Sequence, residues 1–198
     1  MIDAVLFDLD GTLVAYQQSY SDFMRRIAAS WQILDEGDPF FAAYSQAILT
    51  DGPVTFRSAI EKALLASGRS LHGDADEKCK RAVADYVSGI ELLPWATDLL
   101  ERYAHLPKAI VSNGPFDMQL ATLQKFDLHR LVDEVIISGD PEVGIRKPNP
   151  AIFHLACERL RVEPSRVLMI GDNETADIKG AGDAGLQAVV VTDLVCVR

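Results

Sequence analysis

Acidic, hydroxyl and lysine side chains follow four apolar runs of this 198-residue chain, near the points where predicted strands end. They are Asp8 and Asp10 after the first run, Ser112-Asn113-Gly114 after the second, Lys147 after the third, and Asp172 with Asp177 after the fourth. Carboxylates bind Mg²⁺, whereas a hydroxyl, an ammonium group and loop amides bind phosphoryl oxygens. Each cluster alone also fits an ordinary turn, because Asp, Asn and Gly are common turn residues. Together they predict a magnesium-phosphate site.

Five short apolar runs are the candidate strands that would bring these clusters together. They are rich in Val and Ile and do not alternate with polar residues, which is typical of strands buried on both faces of a parallel sheet. The runs cover residues 2–7, 109–111, 135–137, 167–170 and 188–191. Ligands of such sheets bind beyond the carboxyl ends of the strands, so we expect the four clusters to converge on one edge.

Helical patterns fill the intervals between the later runs, at residues 95–103, 116–126, 150–160 and 175–184. Asn149 is the predicted N-cap of the third helix, and Gly185 is a natural end for the last. Strands that alternate with helices predict right-handed crossovers. The predicted fold class is therefore α/β, with a doubly wound parallel sheet.

The interval after the first strand differs, because residues 16–91 contain no convincing strand. Helical stretches at residues 20–33, 39–49, 56–66 and 76–89 are separated by helix-breaking residues at 51–53 and 67–68. This segment is too long for a simple crossover, so we interpret it as an all-helical insert over the sheet. The predicted organisation is a core of residues 1–15 and 92–198 and an inserted domain of residues 16–91.

Composition and charge exclude several classes of protein. Hydrophobic residues make up 48% of the chain and charged residues 24%, which indicates a globular protein rather than a disordered one. The net charge of −10 argues against a nucleic-acid partner. No apolar run approaches the ~18 residues that span a bilayer, and no secretory signal is recognisable, so we expect a cytoplasmic protein without a membrane partner. Cys79, Cys157 and Cys196 lack metal-ligand spacing, and their odd number argues against a disulfide framework.

The order and spacing of the four clusters resemble the motifs of the haloacid dehalogenase superfamily. The matching residues are Asp8-Leu9-Asp10-Gly11-Thr12, Ser112-Asn113-Gly114, Lys147-Pro148 and Gly171-Asp172-Asn173-Glu174-Thr175-Ala176-Asp177. The resemblance spans roughly residues 1–15 and 92–198, and the helical insert resembles by its position the C1-type cap of one subfamily. It implies a Rossmann-like core and a magnesium-dependent phosphatase, which would hydrolyse a small-molecule phosphomonoester through an aspartyl-phosphate intermediate.

The resemblance also implies roles for the acidic residues. Asp8 would be the nucleophile, and Asp10 would protonate the leaving oxygen and then accept a proton from the attacking water. Asp8, the backbone carbonyl of Asp10 and Asp172 would hold Mg²⁺. Asp177 would help to hold the metal-binding loop in place.

The remaining motif residues would contact the phosphoryl group. Ser112 would donate a hydrogen bond to a phosphoryl oxygen, together with the amides of the Asn113-Gly114 loop. Lys147 would neutralise charge on Asp8 and on the phosphoryl group. Pro148 favours an extended backbone at Lys147, which would help to aim its side chain.

A cap of this kind would open and close over the site, with hinges near residues 14–15 and 92–94. The candidates for substrate recognition in the insert are Gln17, Tyr20, Phe56 and Arg57. Arg57 would bind an anionic group of the substrate through paired hydrogen bonds. The competing interpretation of Arg57 is a solvated arginine on a helix surface.

Three alternative functions remain open from the sequence. A phosphomutase that resembles β-phosphoglucomutase would use the same two aspartates but return the phosphoryl group to a second hydroxyl. A 2-haloacid dehalogenase would need neither a metal nor an acid at the position of Asp10. A non-catalytic binding protein of the same fold would be expected to lack some of the motif residues, all of which are present here.

Overall fold

The computed structural model describes residues 1–33, 39–70 and 73–195, and its centre is a parallel sheet. In chain order the strands are β1 (Ala4–Phe7), β2 (Val14–Tyr16), β3 (Ile90–Leu92), β4 (Lys108–Ser112), β5 (Glu134–Ile137), β6 (Val167–Gly171) and β7 (Gln187–Val190). The central sheet has the order β5-β4-β1-β6-β7, and its neighbouring strands are parallel. The predicted doubly wound α/β fold is confirmed, with β1 in the middle.

Helices cover both faces of this sheet and also make up the inserted segment between β2 and β3. In chain order they are α1 (Tyr20–Ser30), α2 (Pro39–Leu49), α3 (Phe56–Ala66), α4 (Ala75–Ser88), α5 (Ala96–Arg102), α6 (Phe116–Lys125), α7 (Pro150–Leu160), α8 (Gly180–Asp183) and α9 (Val191–Val195). Val5 and Phe7 of β1 belong to one buried cluster, which includes residues of α5 and α6. Ala4 and Leu6 belong to another, with residues of α7. Because both faces of β1 are covered, its sequence is apolar without alternation.

The predicted cap of α7 is present. The Asn149 side chain accepts a hydrogen bond of 3.1 Å from the amide of Ala151, and the helix begins at Pro150 as expected. The last predicted helix, at residues 175–184, differs from the expectation, because the chain first forms a π-helical turn over Glu174–Lys179 and only then α8. Such wide turns often occur at functional sites, and this one directly follows β6.

A short antiparallel ribbon connects the helical insert to the core. In it β2 pairs with β3, with Val14 opposite Leu92 and Tyr16 opposite Ile90. The expectation that residues 16–91 contain no strand was therefore wrong at both ends of that segment. Each of these strands has three residues, which is too short for a periodic pattern to show. The predicted hinges and domain boundaries lie in or beside this ribbon, and both remain predictions.

The segment between α2 and α3 attaches the insert to the core through its backbone. The amide of Gly52 donates to the carbonyl of Gly144 at 2.8 Å, and the amide of Val54 donates to the carbonyl of Gly139 at 3.0 Å. The amide of Phe116, the first residue of α6, donates to the carbonyl of Val54 at 2.8 Å. These hydrogen bonds place the insert over the carboxyl edge of the sheet.

Two of the three cysteines are buried free thiols. Burial raises the pKa of Cys79 and of Cys157 to about 11 each, so both thiols stay protonated and unreactive near neutral pH. Cys196 lies outside the described residues. Within the described ranges, no helix combines the length and the hydropathy needed to cross a bilayer.

Replacing Gly139 with alanine is expected to weaken the attachment of the insert. A Cβ atom at Gly139 would lie 2.5 Å from the carbonyl oxygens of Gly114 and Val54 and 2.8 Å from the amide nitrogen of Phe116. These are backbone atoms, so the loops themselves must move. We expect the free energy of unfolding to fall by roughly 1–3 kcal/mol, measured by denaturant titration.

Gly182→Ala is the matched control for this substitution. Gly182 is an exposed residue of α8, and no heavy atom lies within 4 Å of the Cβ that alanine would add. Its stability should equal that of the wild type or exceed it by up to about 1 kcal/mol. Wild-type stability of the Gly139→Ala variant would contradict the packing described above.

Candidate active site

Three neighbouring strands end at polar residues on the same edge of the sheet. Ser112 is the last residue of β4, while Asp8 follows β1 and Asp172 follows β6. The amide of Asp8 donates a hydrogen bond of 2.9 Å to the carbonyl of Ile170, which extends the pairing of β1 with β6. Backbone pairing therefore holds the first, second and fourth motifs side by side.

A tight turn after β1 places Asp10 at this edge. The amide of Leu13 donates to the carbonyl of Leu9 at 2.9 Å, and Gly11 has a φ of +86°, a conformation that favours glycine. A Cβ atom at Gly11 would also lie 2.1 Å from Oδ2 of Asp172. Glycine is therefore needed for the turn and for the close approach of the first and fourth motifs.

The buried ammonium group of Lys147 links two carboxylates. Its Nζ atom lies 2.5 Å from Oδ1 of Asp8 and 2.7 Å from Oδ1 of Asp177, and it donates to the carbonyl of Val111 at 2.8 Å. Asn113 fixes the backbone of this lysine, since its Nδ2 donates to the Lys147 carbonyl at 2.8 Å and its Oδ1 accepts from the Lys147 amide at 2.9 Å. The ammonium group thus donates hydrogen bonds to Asp8 and Val111 and forms an ion pair with Asp177.

Burial shifts the pKa values of the acidic and basic side chains at this edge. Burial raises the pKa of Asp8 to about 7, although Lys147 acts in the opposite direction. Burial also raises the pKa of Asp10 and of Asp172. It lowers the pKa of Lys147, but attraction to Asp8 and Asp177 outweighs this effect, so the pKa is raised overall and the ammonium stays charged.

The donor set of the edge fits a divalent cation. One oxygen each from Asp8, Asp172 and Asp177 lies within 4.8 Å of the others. Oxygen ligands from carboxylates are those that Mg²⁺ prefers, and a nearby cation would offset the repulsion between these crowded carboxylates. Oδ2 of Asp177 accepts a hydrogen bond of 3.0 Å from the amide of Asn173, so this carboxylate also holds the loop after β6 in place. The carbonyl of Asp10 as a further ligand remains a prediction.

The hydroxyl groups at this edge differ in their hydrogen-bond partners. Oγ of Ser112 is buried and has no hydrogen-bond partner among the described residues, which is unusual unless a ligand provides one. Oγ1 of Thr12 donates to Oδ2 of Asp8 at 3.2 Å. The amide of Gly114, expected to bind a phosphoryl oxygen, instead donates to Oγ of Ser138 at 3.0 Å.

A cavity of about 330 Å³ lies between this edge and the helical insert. Its volume suits a small molecule. The insert contributes aromatic and aliphatic side chains, among them Tyr20, which was a candidate from the sequence. The lining from the β2 strand and the insert helices is Ala15, Tyr16, Tyr20, Ile48, Leu49 and Tyr86, and the lining from the core includes Asp10, Asn113, Met118, Gln119 and Arg146.

The structure does not bring the other insert candidates to the cavity. Arg57 lies on the surface of α3, where its guanidinium pairs with Glu61 at 2.8 Å and with Asp76. Phe56 is fully buried in the core of the insert, and Gln17 is exposed and donates to a glutamate of β3. Arg57 thus lies outside the lining of the cavity, and its role in substrate binding remains a prediction.

Several residues at the site were not identified from the sequence. Gln119 of α6 donates from Nε2 to Oδ2 of Asp10 at 2.8 Å, and Ser138 follows β5. Tyr86 and Arg146 line the cavity. Helix and loop packing brings these residues to the site. Of these residues, only Arg146 could have been identified from its position in the sequence, because it directly precedes Lys147.

Comparisons with known proteins agree with this arrangement. The family model of haloacid dehalogenase-like hydrolases matches residues 2–185. The ribulose-1,5-bisphosphate 5-phosphatase of Halopiger xanaduensis is 31% identical over 207 residues, which covers 96% of this chain and 84% of that protein.

Solved structures show the same fold with two kinds of activity. The HAD phosphatase from Thermococcus onnurineus is 26% identical with a TM-score of 0.69, over 96% of this chain and 86% of its own. The L-2-haloacid dehalogenase from Xanthobacter autotrophicus is 26% identical with a TM-score of 0.63, over 100% of this chain and 84% of its own. The family match and the four converging motifs show that this chain belongs to the haloacid dehalogenase-like hydrolases.

Proposed function

We propose that this protein is a magnesium-dependent phosphatase, which hydrolyses a small-molecule phosphomonoester through an aspartyl-phosphate on Asp8. The observation that carries the proposal is the position of Asp8. It pairs with Lys147 at 2.5 Å and shares the carboxyl edge with the second acid, Asp10, which lines the cavity. This arrangement supplies a nucleophile in Asp8, a positive charge in Lys147 and a proton donor in Asp10 within one site.

The first half-reaction transfers the phosphoryl group to the protein. A carboxylate oxygen of Asp8 attacks phosphorus while the bond from phosphorus to the leaving oxygen breaks. Asp10 passes its proton to that oxygen, so the product leaves as a neutral alcohol. Lys147 and the free hydroxyl of Ser112 stabilise the charge on the reacting carboxylate and phosphoryl oxygens.

The second half-reaction restores the protein. Asp10, now a carboxylate, accepts a proton from water, and the water oxygen attacks phosphorus. The bond from phosphorus to Asp8 breaks, which releases inorganic phosphate and regenerates both aspartates. Mg²⁺, held by Asp8 and Asp172 with Asp177 beside them, would neutralise charge on the transferring group.

A phosphatase fits this site better than a dehalogenase. A halide leaves without a proton, so an acid on the cavity wall and a cluster of three carboxylates have no role in its departure. Both have a role in phosphoryl transfer, because the alkoxide must be protonated and the phosphoryl charge must be balanced. The alcohol part of the ester would contact the apolar lining of Tyr16, Tyr20 and Tyr86, with Arg146 as a nearby cation.

The first prediction from this mechanism tests the nucleophile. Asp8→Asn keeps the shape of the side chain and removes its charge, so we expect phosphate release to fall by roughly 1,000-fold or more. Release of inorganic phosphate from a panel of phosphorylated metabolites with magnesium is the measurement. Asp85→Asn, an exposed aspartate of α4, is the control and should keep wild-type turnover. Turnover near the wild-type rate in Asp8→Asn would refute the assignment.

A second prediction concerns the cation. Asp172→Asn should raise the magnesium concentration that gives half-maximal activity by roughly 10- to 100-fold, because one charged ligand is lost. Asp183→Asn, which replaces an exposed aspartate of α8 outside the motif, is the control and should leave the titration unchanged. Identical magnesium curves for Asp172→Asn and the wild type would argue against ligation.

The third prediction separates the competing activities. Chelation of divalent cations with EDTA should abolish phosphate release, and added magnesium should restore it. The phosphatase should release one phosphate for each ester consumed. Isomerised ester without free phosphate would indicate a mutase instead, and halide release that survives EDTA would indicate a dehalogenase.

A further inference from the structure

A buried glutamine contacts the proposed acid. Gln119 lies on α6 and is 5% exposed, and its Nε2 atom is 2.8 Å from Oδ2 of Asp10 and 3.0 Å from the carbonyl oxygen of Asn113. The Asn113 carbonyl can only accept a hydrogen bond, so the NH₂ end of the amide must face these two groups. Both amide hydrogens are therefore donated, one of them to Asp10.

We propose that Gln119 is a positioning residue for proton transfer by Asp10, an inference that rests on the proposed function. Its hydrogen bond occupies Oδ2, which leaves Oδ1 as the oxygen that carries the proton. In the first half-reaction the O–H bond at Oδ1 breaks as the proton passes to the leaving oxygen. In the second, a proton from water returns to Oδ1. Gln119 itself gains and loses no proton.

The surroundings of Gln119 support this role. Its Oε1 atom is buried and has no hydrogen-bond partner in the described part of the chain. A buried carbonyl oxygen without a partner is unfavourable, and an apolar side chain at this place would avoid it. The two donated hydrogen bonds are therefore the contribution that distinguishes glutamine from an apolar residue here.

The neighbouring loop also leaves room for this amide. A Cβ atom at Gly114 would lie 2.5 Å from Nε2 of Gln119, so the glycine of the second motif allows the amide to reach Asp10. The loop that was expected to bind phosphate thus also accommodates the group that orients the acid.

The test uses two esters that differ in their need for an acid. An alkyl phosphate needs protonation of its leaving oxygen, whereas the phenolate of a nitrophenyl phosphate departs without it. Gln119→Met removes the donor and keeps a similar side-chain length. We expect kcat for the alkyl ester to fall about 10- to 100-fold with KM within about 2-fold.

The aryl ester should behave differently in the same variant. Phosphorylation of Asp8 should stay within about 3-fold of the wild-type rate, while hydrolysis slows because Asp10 must still accept a proton from water. Stopped-flow absorbance should then show a burst of nitrophenolate equal to the enzyme concentration. A fall in kcat for the alkyl ester, together with a burst of nitrophenolate from the aryl ester, supports the proposal.

Thr122→Val is the matched control. Thr122 is a fully buried polar residue of the same helix, and its hydroxyl donates to the carbonyl of Met118 at 3.0 Å, away from Asp10. The Thr122→Val substitution should lower the turnover of both esters equally or leave both unchanged. If circular dichroism shows that Gln119→Met is unfolded, Gln119→Asn, whose amide is one methylene shorter, replaces it with the same expectations.

Equal losses for both esters without a burst, or no loss at all, would overturn the positioning role and leave the proposed function standing. Failure of the wild-type protein to release phosphate from either ester or from the metabolite panel would instead count against the proposed function itself. The wild-type assay therefore distinguishes the two failures.

Discussion

The ion pairs of Lys147 with Asp8 and Asp177 hold together an edge of the sheet that carboxylates would otherwise push apart. Both acids are buried, and each lies within 2.7 Å of the ammonium nitrogen. Removal of one partner from such a buried group is strongly unfavourable. The lysine comes from the loop after β5, and Asn113 after β4 fixes its backbone, so the ion pairs depend on the order of strands in the sheet.

One ammonium group does not balance the charge of the site. Asp10 and Asp172 lie at the same edge, and burial raises their pKa values along with that of Asp8. The remaining excess of negative charge makes a divalent cation favourable, and the hydroxyl of Ser112 has no acceptor among the residues that the structure describes. A cation and a phosphoryl group would therefore satisfy the groups of this edge that lack a balancing charge or a hydrogen-bond partner within the described residues.

Most of the sheet and of its polar edge was predictable from the sequence. Continuous runs of Val and Ile mark strands buried on both faces, and the motif residues follow those runs directly, so one rule about parallel sheets places Asp8, Ser112 and Asp172 together. The sequence has no comparable pattern that predicts the contacts formed by helix packing. Gln119 lies inside a helix with no distinguishing neighbours. Arg57 also pairs with Asp76 of α4, a contact between two helices that sequence spacing alone does not show.

Rapid acid quenching during turnover of a ³²P-labelled ester tests the central claim most directly. The account predicts that the label is bound to the protein, that peptide mapping places it on Asp8, and that it disappears when unlabelled ester is added before the quench. Release of phosphate at the normal rate with no label on the chain, or with the label on another residue, would contradict it.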